Sequence, residues 1–250
     1  MASFAARQEE LSANLAALRM RIAGACEQAG RSAEEVTLIA VTKTFPPSDI
    51  RLLARLGVLD IGENRDQEAA PKAAECAGLE PRLRWHFIGQ LQANKAKSVV
   101  RYADVVHSVD RSRLVGALGS RARAAGREVT CLVQVDLDQA DDIASENGER
   151  SGLALRGGAA PGAVPALADE IAGEDGLTLG GVMAVAPLGA SPRPAFKRLA
   201  GVAAIVRRAH PGATMISAGM TGDLEEAIAE GATHVRVGTA LLGGRAALVR

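Results

Sequence analysis

The chain has 250 residues, of which 48% are hydrophobic, 2% are aromatic and 23% are charged, and its formal net charge is zero. This length fits one α/β barrel or one to two smaller domains, and the balanced charge argues against nucleic acid as a partner. The three cysteines are far apart and odd in number, which is typical of reduced cytosolic thiols. The four histidines show no metal-binding spacing. No segment resembles a signal peptide or a membrane span, so we expect a cytoplasmic protein with no membrane partner.

The first half of the chain alternates between predicted helices and short apolar strands. Leu11, Leu15, Leu18 and Ile22 recur at helical spacing and predict an amphipathic helix over about residues 3–29. The first strand is predicted at residues 36–43, a continuous apolar run that fits a strand buried on both faces. The next predicted elements are a helix at 48–56 capped by Ser48-Asp49, a strand at 58–62, a helix at 64–76, a strand at 83–89, a helix at 93–100 and a strand at 105–109.

The second half continues the same rhythm after one interruption. Residues 138–162 are polar and rich in glycine, and they predict a long surface loop. The other predicted elements are helices at 110–125, 164–172, 192–209 and 223–230, and strands at 129–137, 177–185, 213–219 and 234–241. Eight strands, mostly separated by helices, predict a single α/β domain over residues 1–250, a TIM-type (β/α)₈ barrel with an extra N-terminal helix. A doubly wound open sheet is the alternative, because both folds share this rhythm.

Lys43 ends the first predicted strand and is followed by Phe45-Pro46-Pro47, which cannot extend a buried ladder. Ligands of parallel α/β folds gather at the carboxyl ends of strands. An amine at this position can form a Schiff base with an aldehyde. The alternative is a structural lysine whose aliphatic stem covers apolar surface at the end of the strand.

The ends of the last two predicted strands have the composition of a phosphate-binding cup. Glycine lets the backbone approach a ligand closely, and hydroxyl groups add donors. Barrels often bind phosphate after their seventh and eighth strands. The residues concerned are Gly219, Gly222 and Gly238 with the hydroxyls of Ser217, Thr221 and Thr239. The alternative is a pair of ordinary glycine-containing turns.

Arg236 is in phase with Gly238 on the eighth predicted strand, so both face the same side. An arginine inside a barrel needs a partner. We expect either an ion pair with Glu63 or Asp136, or a donor role toward a heteroatom of a ligand. His86 is interpreted as a core histidine with its hydrogen bonds satisfied.

These residues belong to a set of motifs that closely resembles the pyridoxal phosphate homeostasis proteins, a family similar to the N-terminal barrel of alanine racemase. The resemblance extends from about residue 10 to Gly243, with the motifs in the order of the family. The motifs are Ala40-Val41-Thr42-Lys43-Thr44, Gly62-Glu63-Asn64, Trp85-His86-Phe87-Ile88-Gly89, Leu91-Gln92-Ala93-Asn94-Lys95, Gly219-Met220-Thr221-Gly222-Asp223 and Arg236-Val237-Gly238-Thr239.

The resemblance implies that Lys43 carries pyridoxal 5′-phosphate (PLP) as a Schiff base, with Arg236 facing the pyridine nitrogen and Asn64 near the ring. The residues that line the phosphate are then Ser217, Gly219, Met220, Gly238 and Thr239, and Thr221 belongs to the same cup. The family is linked to vitamin B6 balance and amino-acid homeostasis. Two positions depart from it: Arg65 stands where relatives often have Tyr, and Arg150-Ser151-Gly152 where they often have Lys-Ser-Gly.

Three functions remain to be compared. The first is a monomeric PLP homeostasis protein, without efficient turnover, whose partners are PLP and apo PLP-dependent enzymes. The second is a PLP-dependent amino-acid racemase of low activity, and the third is a Schiff-base aldolase without cofactor. Racemisation needs an acid/base group on each face of the substrate α-carbon. The only tyrosine, Tyr102, is predicted at the amino-terminal face, away from Lys43, and the chain ends at Arg250 without the second domain of racemases. We therefore expect no efficient racemase.

Overall fold

The computed structural model describes residues 4–137, 157–187 and 189–244 of the chain. In these residues, eight parallel strands follow one another around a closed barrel, in which the first strand pairs with the eighth. The predicted (β/α)₈ barrel is confirmed, and the closed order excludes an open sheet. The strands are β1 (Thr37–Val41), β2 (Asp60–Glu63), β3 (Arg84–Phe87), β4 (Val105–Val109), β5 (Val129–Gln134), β6 (Leu177–Met183), β7 (Met215–Ser217) and β8 (His234–Val237).

Helices cover the outside of the barrel, and the predicted extra helix precedes the first strand. In the described residues they are α1 (Phe4–Gln28), α2 (Pro47–Arg55), α3 (Asp66–Glu75), α4 (Ala96–Val99), α5 (Ser112–Ala124), α6 (Val164–Gly173), α7 (Pro192–Ala209), α8 (Leu224–Ala229) and α9 (Thr239–Leu242). Within the described ranges, no helix is both long enough and apolar enough to cross a bilayer.

The strands are apolar on both faces because each lies between the helices and the barrel interior. Outer-facing residues pack against the helices in two large clusters, one around β4 to β7 and one around α1, β1, β2 and β8. Inside the barrel, Val105, Leu132 and Met183 form a small apolar cluster. Polar side chains also occupy the interior, as described below.

The predicted ends of two strands at the site are wrong for a shared reason. β1 stops at Val41, because a tight turn follows in which the N–H of Phe45 donates to the carbonyl of Thr42 at 3.0 Å. β8 stops at Val237, because Gly238 begins a helical turn that receives the N–H groups of Leu241 and Leu242. Both ends are therefore set by turns that the apolar pattern does not reveal.

Three smaller predictions are also corrected. α2 begins at Pro47 with Pro46 at its N-cap, so Ser48 and Asp49 lie inside the first turn and do not cap it, and the Asp49 carboxylate accepts from Arg7 at 2.6 Å. β5 ends at Gln134 and β7 spans Met215–Ser217, both shorter than predicted. Most of the predicted loop at 138–162, including Arg150 to Gly152, lies outside the described residues.

Candidate functional site

The predicted site residues come from four strands that are direct neighbours in the barrel. β7 pairs with β8, β8 pairs with β1, and β1 pairs with β2, all in parallel. The carboxyl ends of parallel strands meet at one rim. The structure therefore places every sequence-predicted site residue on one arc of that rim. They are Lys43 after β1, Asn64 after β2, Ser217, Gly219, Met220 and Thr221 at the end of β7, and Arg236, Gly238 and Thr239 at the end of β8.

Lys43 is exposed in the turn that follows β1. The next residue, Thr44, has a φ of 69°, a left-handed conformation that a β-branched side chain rarely adopts. The Thr44 N–H donates to the carboxylate of Glu68 at 3.0 Å, which holds the turn. Strained backbone of this kind clusters at functional sites and costs about 1–3 kcal/mol. The turn thus supports a functional role for the amine it presents.

The loop after β7 requires glycine at position 219. Gly219 has a φ of 89°, and a Cβ there would lie 2.7 Å from the Cβ of Ala227. The loop is closed by the Asp223 carboxylate, which accepts the N–H of Met220 at 2.6 Å. The N–H groups of Gly219, Gly238 and Thr239 have no acceptor in the described parts of the chain. Such groups are available to an anion.

The cup lies close to the strand that carries the lysine. A Cβ at Gly238 would lie 3.4 Å from the carbonyl oxygen of Val41, two residues before Lys43. On the other side of Lys43, β2 leads into Asn64, which is half-buried. A Cβ at Gly89 would lie 2.0 Å from the carbonyl oxygen of Asn64, so only glycine lets the loop after β2 cross the end of β3.

The extra helix α1 hydrogen-bonds to both loops that form the cup. Arg21 donates to the carbonyl of Thr221 at 3.0 Å and to the carboxylate of Glu225 at 2.8 Å. Asn14 donates to the carbonyl of Leu241 at 3.1 Å. One helix therefore fixes both the loop after β7 and the turn after β8, an arrangement that sequence reasoning did not foresee.

Arg236 is 4% exposed and lies in the barrel interior. Its Nη1 donates to the carbonyl and to the hydroxyl of Ser217, both at 2.7 Å, and its Nη2 donates to the carbonyl of Ala184 at 2.8 Å. These bonds use three of the five N–H donors of a guanidinium, so two remain. Burial lowers the pKa of Arg236 to about 10, and the nearby charge of Asp223 opposes the shift.

The expected ion pair between Arg236 and Glu63 is wrong. In the described part of the chain, no carboxylate makes an ion pair with Arg236. Glu63 accepts from Lys72 Nζ and from the Thr42 hydroxyl, each at 2.7 Å. Lys72 belongs to α3, so this pair lies between the barrel and a helix. Burial raises the pKa of Glu63, although Lys72 and Thr42 act against the shift.

Two histidines extend the polar interior below Arg236. The prediction that His86 is a satisfied core residue is confirmed: it is 1% exposed and contacts Asp60 and His107. His107 also contacts the Ser217 hydroxyl at 3.0 Å. Sequence reasoning missed His107 and Asp60.

Tyr102 precedes β4 in the chain, and its hydroxyl lies 3.5 Å from the carboxylate of Asp66, the first residue of α3. It packs edge-to-face against Trp85 with ring centroids 6.3 Å apart. Both line a cavity of about 550 Å³ on the outer wall, between α3 and the segment after α4. Burial raises the pKa of Tyr102, and the charge of Asp66 adds to the shift. Tyr102 is thus on the other side of the barrel wall from Arg236.

Comparison with known proteins identifies the family. Residues 13–246 match the alanine racemase N-terminal domain family. A protein of Mycobacterium tuberculosis (strain ATCC 25618 / H37Rv) named pyridoxal phosphate homeostasis protein is 41% identical, over 98% of this chain and 96% of its own length. The chain belongs to this family.

Solved structures agree with the family assignment. The structure of PipY from Synechococcus elongatus PCC7942 with PLP bound is 33% identical, has a TM-score of 0.76, and is aligned over 93% of this chain and 100% of its own. Alanine racemase from Corynebacterium glutamicum is 12% identical with a TM-score of 0.65, aligned over 94% of this chain and 60% of its own. That second likeness shows a shared barrel fold.

The residues of this pyridoxal phosphate homeostasis family member fit the groups that PLP presents. A phosphate needs N–H donors, and those of Gly219, Gly238 and Thr239 have no acceptor among the described residues. An aldehyde needs an accessible amine, which Lys43 supplies. A pyridine nitrogen accepts a hydrogen bond, and Arg236 has two N–H donors left.

Proposed function

We propose that this chain binds PLP at the carboxyl-terminal rim of its barrel and acts in PLP homeostasis. The observation that carries the proposal is the convergence of three groups on adjacent strands. They are the exposed amine of Lys43, the unsatisfied N–H groups of the cup, and the buried Arg236 with two spare donors. The shared family with proteins named for PLP homeostasis supports the same function.

In this proposal Lys43 Nζ is the point of attachment, through a Schiff base. The amine would hold the aldehyde of the cofactor as a Schiff base, formed with loss of water. The backbone N–H groups of Gly219, Gly238 and Thr239 hold the phosphate, and Met220 and Thr221 complete the loop around it. Asn64, at the end of β2, lies beside the ring.

Arg236 sets the electronic character of the bound cofactor. A guanidinium only donates, so it matches a neutral pyridine nitrogen and would repel a protonated one. When bound, PLP supplies an aldehyde and an electron-withdrawing ring. Arginine at the ring nitrogen makes that ring a weaker electron sink than a carboxylate partner would. This favours holding the cofactor over catalysis with it.

We also propose that the chain has no efficient turnover as an amino-acid racemase. A second acid/base group is needed opposite Lys43. Among the described residues, Tyr102 lies on the outer wall and His86 is committed to Asp60 and His107. Conversion of several L-amino acids to their D forms with saturating PLP tests this. A rate near the enzyme median of about 10 s⁻¹, lost in Lys43→Ala, would establish the racemase instead.

Binding of PLP and of pyridoxal, which lacks the phosphate, tests the main proposal. We expect a visible absorption band with PLP that saturates on titration, and far weaker binding of pyridoxal because the cup is left without its anion. Equal binding of both aldehydes would show that the cup does not hold phosphate. Absence of any band, together with cleavage of a phosphorylated sugar, would favour the Schiff-base aldolase. Release to an apo PLP-dependent enzyme, measured by recovery of that enzyme's activity, tests the homeostasis role.

A further inference from the structure

An unbroken series of hydrogen bonds crosses the barrel interior below the site. Arg236 Nη1 donates to the Ser217 hydroxyl at 2.7 Å, and that hydroxyl lies 3.0 Å from His107 Nδ1. His107 Nε2 lies 2.9 Å from His86 Nδ1, and His86 Nε2 lies 2.8 Å from the Asp60 carboxylate. The first four residues are at most 4% exposed, whereas the Asp60 side chain is 22% exposed. We call these five residues the interior chain.

Only one arrangement of protons satisfies the interior chain with neutral imidazoles. Arginine only donates and a carboxylate only accepts, so both ends are fixed. His86 must carry its proton on Nε2 to donate to Asp60, which leaves Nδ1 as an acceptor. His107 must then carry its proton on Nε2, and its Nδ1 accepts the hydroxyl proton of Ser217. Every donor therefore points from Arg236 toward Asp60.

Burial keeps both imidazoles neutral. It lowers the pKa of His86 and, more strongly, that of His107. The charges that face His86 are Asp60 and Asp104, which oppose the shift, and Arg84, which adds to it. His107 faces Arg236 and the rings of His86 and His234, all of which add to its shift. A charged His107 would donate from Nδ1 to the Ser217 hydroxyl, which would then lose His107 as the acceptor of its own proton, so the series as described requires neutral rings.

The contrast with the rest of the interior argues against a packing role alone. On the side of β4 to β6 the interior is filled by Val105, Leu132 and Met183. Buried polar groups are costly unless fully satisfied, and an apolar filling avoids that cost. The polar side chains of the interior chain instead connect Asp60 to Arg236, whose buried guanidinium makes no ion pair with any described residue.

We propose that the interior chain positions Arg236 for the ring nitrogen of the cofactor, with His107 and His86 as positioning residues and Asp60 as the remote counter-charge. This rests on the proposed function only for what Arg236 faces. It also changes the role expected for Ser217. The Ser217 hydroxyl donates to His107 Nδ1, and its oxygen accepts from Arg236. Ser217 therefore holds the arginine and does not donate its hydroxyl proton to the phosphate.

The proton arrangement can be measured without cofactor. In protein labelled with ¹⁵N-histidine at neutral pH, long-range ¹⁵N–¹H spectra identify the protonated ring nitrogen. We expect His86 and His107 to be neutral and protonated on Nε2. An imidazolium, or a proton on Nδ1 of either ring, would overturn the interior chain whether or not the protein binds PLP.

The positioning role is tested with matched variants of two buried histidines. His107→Phe breaks the interior chain, whereas His234→Phe removes an inner imidazole outside it: among the described residues the His234 Nδ1 hydrogen-bonds to Thr233 at 2.8 Å, and its ring lies 6.4 Å from that of His86. We expect His107→Phe to weaken PLP binding about tenfold or more, the loss expected for a hydrogen bond to a charged group, and to shift the visible band of bound PLP. His234→Phe should keep the band of the parent.

His107→Gln provides the rescue, because an amide can donate to His86 and accept from Ser217. We expect it to restore the band and most of the affinity. Equal effects of His107→Phe and His234→Phe, or no rescue by a folded His107→Gln, would overturn the positioning role. Absence of PLP binding in the parent would instead overturn the proposed function, which the NMR measurement does not depend on.

Discussion

Lys43 and Lys72 both lie near the carboxyl end of β1, but Lys43 is exposed and Lys72 is buried. Lys43 is exposed in the turn after β1. Lys72, on α3, is 8% exposed and donates to Glu63 at 2.7 Å and to the carbonyl of Thr42 at 2.8 Å. An amine that donates within a buried ion pair is not accessible to an aldehyde, whereas an exposed amine is. We therefore expect Lys72 to contribute stability, and we propose Lys43 for the chemistry.

The largest expected effect is the loss of the buried pair. Lys72→Met leaves Glu63 buried without its counter-charge, and breaking such a pair costs about 3–5 kcal/mol. Lys43→Ala removes an exposed side chain and should change the free energy of unfolding by about 0.5 kcal/mol or less. Urea denaturation measures both. A Lys72→Met, Glu63→Leu double variant should recover much of the loss, because both charges are then gone. Equal stability of the two single variants would remove the distinction between the lysines.

The cost of burying a charged imidazole at His234 predicts that the free energy of unfolding depends on pH. Burial lowers the pKa of His234 from its ordinary value to about 4. Between about pH 6.5 and about 4, the unfolded state binds a proton at this residue that the folded state does not, so stability falls as the pH falls. We expect the parent to lose about 1.4 kcal/mol per pH unit more than His234→Phe in this window. Parallel curves for the two proteins would show that His234 takes up its proton in the folded state as easily as in the unfolded one.

Substitutions at two glycines of the cup allow an effect on stability to be distinguished from an effect on PLP binding. Both effects are expected to be smaller than those above. Gly219→Ala forces alanine to a φ of 89° and against Ala227, so it should cost about 1–3 kcal/mol of stability. At Gly238 the φ is −108° and the nearest atom to an added Cβ is 3.4 Å away. Gly238→Ala should therefore fold normally, yet bind PLP more weakly because its methyl group, beside the carbonyl of Val41, narrows the space between β8 and β1. Unchanged PLP affinity in a stable Gly238→Ala would place the phosphate elsewhere.

The succession of strands and helices along the chain, and the positions of Lys43 and Gly219 at strand ends, could be predicted from the sequence, because both follow from local patterns. The same rhythm does not distinguish a closed barrel from an open sheet. Apolar runs mark strands buried on both faces, and Lys43 and Gly219 stand where such runs end. The ends of β1 and β8 could not be predicted, because the left-handed Thr44 and the helical turn at Gly238 depend on contacts outside the strands.

The interior chain could not be predicted for a different reason. In β4, His107 and Ser108 are adjacent and both fully enclosed, so the sequence does not show which one faces the barrel interior. The sequence leaves Glu63 as one possible partner of Arg236 although it faces the helices, since strand phase is ambiguous when both faces are apolar. The stagger of the barrel, which brings Asp60 to His86, is a property of closure and not of any single strand.

The most direct test of the account is to trap the cofactor. The chain has five lysines, Lys43, Lys72, Lys95, Lys97 and Lys197. Borohydride reduction of the PLP-loaded protein, followed by peptide mass mapping, shows which of them carries the reduced pyridoxyl group. We predict the label on the peptide that contains Lys43, with none in Lys43→Ala and full labelling of Lys43 in Lys72→Met. Label on Lys72, Lys95, Lys97 or Lys197 with Lys43 unmodified would contradict the account.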